Sequence, residues 1–169
     1  MAGEHEVGPI VGYVALGANL GEPIPMIHRA VAALDGPELR VLRRASIFRT
    51  RPLGPIAQPD FLNTVVEIES TLSPLALLTR LLSIEANLGR VRAERWGPRS
   101  IDLDLLALGP AQVQTPQLTL PHPELAHRAF VLVPWAELAP GFLVPGTGRT
   151  VAQLLAQLAP GPDEVIPLP

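Results

Sequence analysis

The sequence predicts an α+β fold: a ferredoxin-like βαββαβ sandwich with extra short helices and strands toward its C-terminal end. Three observations predict it: four strand-like stretches, two helical stretches between them, and the order β-α-β-β-α-β in which they alternate. Residues 12–16 (GYVAL) read as a first strand ending in GANLGEP. Ile24, Ile27, Val31 and Leu34 then recur at helical spacing, which predicts a helix over 23–34. Residues 39–49 read as one long strand of mixed patterning. Residues 50–60 (TRPLGPIAQPD) carry three prolines and a glycine, too irregular for a tight hairpin. FLNTVVEIE, 61–69, is a strand. Ser73 and Pro74 supply an N-cap and a first-turn proline for a second helix reaching about Leu88. An arginine-rich loop over 89–99 leads into a strand over 100–108. Short helices over 128–138 and 150–158 follow, and the proline-rich tail 159–169 is expected to fray. Residues 1–158 are thus expected to form a single domain without internal repeats.

Composition narrows the function. With 47% hydrophobic residues in 169, the chain can bury one substantial core. A formal net charge of −3 argues against wholesale binding of nucleic acid or an anionic membrane. No apolar run approaches the roughly 18 residues of a membrane span. MAGEHEVGPI shows neither the basic nor the apolar region of a secretory signal, so the cytoplasm is the expected compartment. Without cysteine there is no disulfide, thiol nucleophile or cysteine zinc site. All 13 basic residues counted as Lys or Arg are arginine. A Walker A lysine, a protein-kinase lysine and Schiff-base chemistry are therefore excluded. Any phosphate must be handled by guanidinium groups, backbone amides and metal.

The stretch R95-W-G-P-R-S-I-D-L-D-L-L106 holds a contradiction. Ile101, Leu103, Leu105 and Leu106 look like a buried strand, yet Asp102 and Asp104 stand between them. Period-two alternation puts both carboxylates on one face, roughly 6.5–7 Å apart, although aspartate is depleted in strands. Four arginines, Arg90, Arg92, Arg95 and Arg99, crowd the ten residues before the pair. A solvated loop explains such a cluster taken alone. Forked cations beside paired hard-oxygen ligands, however, are what a polyphosphate–Mg²⁺ complex needs, and they favour phosphoryl transfer. The turn G17-A-N-L-G21 fits no nucleotide fingerprint and reads as an ordinary strand-to-helix turn. The four histidines form no i,i+4 pair, which argues against zinc. His122, between two prolines, is either a ligand contact or an exposed loop residue. Phe61 and Phe130 either stack on a flat ligand or fill the core.

Together these motifs resemble the 6-hydroxymethyl-7,8-dihydropterin pyrophosphokinase family of folate biosynthesis. V14-A-L-G-A-N-L-G21, R49-T-R-P-L-G-P55, Q58-P-D-F-L-N63, I84-E-A-N-L-G-R-V-R92, the Arg95–Leu106 stretch and L120-P-H122 match in order, covering nearly the whole chain. The resemblance implies transfer of the pyrophosphoryl group of ATP to the pterin's hydroxymethyl oxygen, releasing AMP. It also implies two Mg²⁺ ions held by Asp102 and Asp104, with ATP as co-substrate. Thr50, Leu53 and Asn63 would hydrogen-bond the pterin, and Phe61 and Phe130 would sandwich its ring. Trp96, on the arginine-rich loop, is placed with these pterin contacts. Glu85, Arg90, Arg92, Arg99, Leu105, Thr119, His122 and Arg128 match nucleotide-binding positions, with Arg92 and Arg99 implied in catalysis. The chain departs from the family at Gln117, where an arginine is usual, at Leu82, where a glutamine is usual, and at Pro123, where a tyrosine is usual. The segment between Arg92 and Trp96 is also one residue short. The 50–60 and 89–99 loops are expected to close over the site when both substrates are bound. A monomer acting in the cytoplasm, with no nucleic-acid or membrane partner, is expected.

The competing reading is a ferredoxin-like RNA-binding module using the arginines on phosphates and aromatics on bases. The negative net charge, the lack of an aromatic RNP1-like strand and the two strand aspartates oppose it.

Overall fold

The computed structural model describes residues 8–52, 54–89 and 99–169. Its main elements follow the predicted order, beginning with β1 (Ile10–Ala18), α1 (Pro23–Leu34), β2 (Leu39–Arg44), β3 (Phe48–Thr50) and β4 (Phe61–Ser70). Next come α2 (Pro74–Asn87), β5 (Asp102–Leu108), the small hairpin of β6 (Val113–Gln114) and β7 (Thr119–Leu120), and α3 (Ala129–Leu138). A second hairpin of β8 (Leu143–Val144) and β9 (Arg149–Thr150) leads to α4 (Val151–Leu158) and β10 (Val165–Pro167). The antiparallel sheet runs β10-β3-β4-β1-β5, with β2 also on β4. With β2 and β3 taken as one broken strand, this is the ferredoxin-like arrangement.

Two expectations are corrected here. The long strand over 39–49 is broken into β2 and β3. Between them Ser46 turns its N–H and hydroxyl to Glu137 Oε1 of α3, at 2.7 and 2.8 Å. A partner 91 residues away thus overrides local strand propensity. The tail, expected to fray, pairs with β3 in the register Val165↔Thr50, Ile166↔Arg49, Pro167↔Phe48. Leu168 N–H donates to Ile47 O at 2.9 Å, so alternation directs the Pro167 nitrogen away from β3, where its missing hydrogen costs nothing.

Each sheet face has its own cover. Val14, Leu16, Leu62, Val66, Leu103 and Leu105 pack with Ile27, Ala30, Leu34, Leu77 and Leu81 of α1 and α2. The opposite face packs Tyr13, Ala15, Val65 and Leu106 against Val131, Leu132 and Trp135 of α3 and Val151 and Leu154 of α4. Each fully buried leucine or valine contributes roughly 1.5–3 kcal/mol of transfer free energy. Ser73 caps α2 by accepting the Ala76 N–H at 3.2 Å. Arg43 anchors the far end of α3, donating to Leu138 O and to Glu67 Oε2, both at 2.8 Å. Tyr13 also donates its hydroxyl to Glu67, at 3.0 Å. The Arg43 hydrogen bond holds the Glu67 carboxyl below its ordinary range.

Candidate active site

Register explains the paired aspartates. Asp102 faces Gly17 and Asp104 faces Ala15 across β1–β5, while Gly17 faces Asn63 and Ala15 faces Val65 across β1–β4. Cross-strand partners share a face, so Asn63, Gly17 and Asp102 form one row. Leu103 and Leu105 drop to the α1–α2 side and are 4% and 3% exposed. Both carboxylates therefore lie on the α3 face, as alternation predicts, and both are only partly buried. Arg99 Nε stands 3.8 Å from Asp102 Oδ2, and Arg128 Nη1 4.0 Å from Asp104 Oδ2. Such long, half-exposed pairs contribute little stability. Their value is positive charge beside the carboxylates.

A cleft of about 610 Å³ runs along the outer edge of β5. Its walls are Leu78, Leu82 and Glu85 of α2 on one side and the 115–123 segment on the other. It gathers the predicted nucleotide residues Glu85, Arg99, Leu105, Thr119 and His122 with Asp102 and Asp104. Arg128 reaches the group through Asp104. Glu85, 5% exposed, accepts the Leu103 N–H at 3.4 Å. Strand alternation gives Leu105 the same edge polarity as Leu103, so Leu105 offers its backbone to the cleft while its side chain fills the core. His122 N–H donates to Leu106 O at 2.9 Å. Its Nδ1 accepts the Glu124 N–H at 3.1 Å, which assigns the neutral ring's proton to Nε2. Burial pushes the His122 pKa down, partly opposed by the Asp104 charge. Leu82, Gln117 and Pro123 line the same cleft.

At the other end, Asn63 Nδ2 donates to Thr50 Oγ1 at 2.8 Å between buried residues. Phe61 stands opposite Thr50 in the β3–β4 register and is half-buried. Phe130, near the start of α3, is also half-buried and packs on the α3-side core. The Arg128 guanidinium lies 5.7 Å from its ring centroid. Phe130 is thus part core and part surface. Leu53, Arg90, Arg92 and Trp96 lie outside the described residues, as does most of the 89–99 loop, one of the two expected to close over the site.

Sequence reasoning missed two residues, one at the end of β1 and one in the turn that follows it. A Cβ on Gly17 would come within 2.9 Å of Asn63 Oδ1, so glycine gives the Asn63 amide its place over β1. Asn19 is 3% exposed and hydrogen-bonds both Arg99 and the 58–59 stretch. Neither signal is local, and GANLG offers no motif that reveals them.

The chain matches the 7,8-dihydro-6-hydroxymethylpterin-pyrophosphokinase family over residues 13–140. It belongs to that family. Among curated relatives, the 2-amino-4-hydroxy-6-hydroxymethyldihydropteridine pyrophosphokinase of Methylorubrum extorquens is 48% identical, covering 88% of this chain and 93% of the relative. The Synechocystis pyrophosphokinase of the same name is 43% identical, over 89% of this chain and 76% of the relative. Among solved structures, an HPPK-DHPS in complex with substrates superimposes with TM-score 0.72 at 11% identity, over 88% of this chain and 43% of that one. A Plasmodium falciparum HPPK-DHPS gives 0.71 at 13% identity, over 91% and 46%. The chain spans less than half the length of these two structures, and at such identity they show the fold alone. The family sets the activity: transfer of the pyrophosphoryl group of ATP to 6-hydroxymethyl-7,8-dihydropterin in folate biosynthesis, giving AMP and the pterin diphosphate. The pyrophosphokinase reading therefore prevails over the RNA-binding one.

Proposed function

We propose that the transfer takes place over Asp102 and Asp104, with the nucleotide in the β5-edge cleft and the pterin near Thr50, Phe61, Asn63 and Phe130. The observation that carries this reading is the cross-strand row Asn63–Gly17–Asp102, which joins the two ends of the site on one sheet face. Among the described residues, no three His, Asp or Glu side chains gather into a metal cage. Two carboxylates beside an anion-sized cleft fit Mg²⁺ that arrives with a substrate's phosphates, because Mg²⁺ prefers one or two carboxylates plus phosphate and water. Asp102 and Asp104 would hold two such ions. Bound Mg²⁺ supplies charge neutralisation at the triphosphate and acidifies a coordinated hydroxyl.

The chain's own groups do the rest. Arg99 adds a permanent cation at the phosphate end, as do Arg90 and Arg92 on the family pattern. Neutral His122 offers Nε2–H as a donor, Glu85 braces β5, and Leu105 and Thr119 line the nucleotide's path. Arg128 stands between the Asp104 carboxylate and the Phe130 ring. Thr50 and Asn63 orient the pterin's polar edge and Phe61 and Phe130 flank its ring, with Leu53 and Trp96 assigned to the pterin by the family pattern alone. The pterin hydroxyl oxygen then bonds to the β-phosphorus and gives up its proton to water, as the bond from that phosphorus to the bridging α-phosphate oxygen breaks and AMP leaves with that oxygen. Holding reactants in line can lower such a barrier by as much as about 7–11 kcal/mol. We take residues 1–158 as the pyrophosphokinase domain, with 159–169 adding the edge strand β10 to its sheet, working as a monomer in the cytoplasm.

The test is incubation with ATP and the hydroxymethyl dihydropterin, with Mg²⁺ or with chelator. AMP formed in equal amount with pterin diphosphate, and only with Mg²⁺, is expected. Full turnover in chelator would remove the metal from the proposal.

A further inference from the structure

An asparagine in a strand-to-helix turn ordinarily bonds its own neighbouring backbone. Asn19 does otherwise. Its Oδ1 accepts the Arg99 N–H at 2.8 Å, 80 residues along the chain. Its Nδ2 donates to Gln58 Oε1 at 2.8 Å and Pro59 O at 2.9 Å, 39 and 40 residues away. The backbone N–H groups of Asn19 and Leu20 both donate to Arg99 O, at 3.0 and 3.2 Å. One amide, 3% exposed, thus holds the residue that leads into the aspartate strand and the end of the loop that leads from Thr50 to Phe61.

We infer that Asn19 is a positioning residue for the transfer: it fixes Arg99, at the phosphate end, and the 58–59 stretch, at the pterin end, to a single point. The inference rests on the assignment of those two ends proposed above. Its chemistry calls for an amide. The Arg99 N–H needs an acceptor, and the Pro59 carbonyl needs a donor. Asparagine presents both from a short side chain. Aspartate keeps the acceptor for Arg99 and loses the donor for Pro59. Alanine loses both. Gln58 meets Nδ2 from the loop side, so trimming it releases part of the pterin-side tie and leaves Arg99 held.

Steady-state kinetics on the full chain, read as AMP released, separate these roles. Wild-type protein in the same assay is the reference, and failure of the wild type to form AMP counts against the functional assignment, not against Asn19. Asn19→Ala is expected to lower kcat about 100-fold, the scale of a misplacement near 1 Å, and to raise the pterin KM. Asn19→Asp is expected to retain more of kcat while raising the pterin KM about tenfold, the loss of a hydrogen bond at the upper end of its ordinary range. Gln58→Ala, at a half-buried surface position, is expected to raise the pterin KM roughly threefold with the ATP KM unchanged. Melting curves supply the folded fraction for each variant. The inference is overturned if Asn19→Ala keeps kcat and the pterin KM within twofold of wild type, or if its losses match its loss of folded protein. Should both Asn19 variants fail to fold, Gln58→Ala decides, and an unchanged pterin KM overturns the inference.

Discussion

The two ends of the proposed site are built on opposite physical terms. The proposed nucleotide end is an open cleft at the β5 edge, where Arg99 and Arg128 stand 3.8 and 4.0 Å from the half-exposed Asp102 and Asp104 carboxylates. The described part of the proposed pterin end is already in place, with a buried Asn63–Thr50 hydrogen bond at 2.8 Å and β3 paired on both sides, by β4 and by β10. A polyanion with its cations provides its own ordering charge when it binds. A flat, weakly charged ring does not, so its partners must already be in place. The difference predicts that charge changes will act on turnover and the nucleotide, and packing changes on the pterin.

The largest effect tests the charged end. Asp102→Asn or Asp104→Asn is expected to lower turnover by roughly 10²–10³-fold, the scale of losing a preorganised electrostatic group. Without metal, thermal unfolding should be unchanged or slightly raised, because exposed ion pairs contribute little and one of two neighbouring like charges is gone. Activity near wild type at saturating Mg²⁺ would move the chemistry away from this strand.

At the preassembled end, Phe130→Ala is expected to weaken pterin binding by about 1–3 kcal/mol, by analogy with base–aromatic stacking. ATP affinity should hold. Thr50→Val leaves the buried Asn63 amide without its acceptor, so denaturant titration is expected to show a loss of about 1–3 kcal/mol. The same variant should raise the pterin KM and spare the nucleotide's. A nucleotide effect from either change would erase the distinction between the ends.

The smallest effect tests the framework below both. The folded-state pKa of Glu67 is depressed by the Arg43 hydrogen bond, so its stabilisation is present above the unfolded value near 4.5 and is lost as pH falls through the folded one. Glu67→Gln should therefore flatten the fall in stability below about pH 4.5 and leave the ATP KM unchanged at neutral pH. A variant as acid-sensitive as wild type would show that the Arg43–Glu67 contact does not contribute to stability in this way.

What the sequence revealed follows the same division. The helix read over 23–34 and the cap at Ser73 are local, because apolar spacing and capping chemistry report burial directly. The aspartate pair was legible because alternation forces two charges onto one face whatever the partner strand. The break between β2 and β3 depends on Glu137, the tail strand on the β3 edge, and the roles of Gly17 and Asn19 on Asn63, Gln58 and Arg99. Each of those partners lies tens of residues away. Spacing along a chain carries no record of contacts closed only by the fold. Phe130 shows the limit from another side: packing at the core boundary and the proposed stacking on a pterin call for the same residue type.

Paired calorimetric titrations test the central claim most directly: Asp104→Asn and Phe130→Ala, each with an Mg²⁺-bound non-hydrolysable ATP analogue and, separately, with the hydroxymethyl pterin. A crossed pattern is expected, with Asp104→Asn weakening the nucleotide and Phe130→Ala the pterin, each sparing the other ligand. If both variants weaken the same ligand, or each weakens both equally, the site is not divided along the sheet in this way.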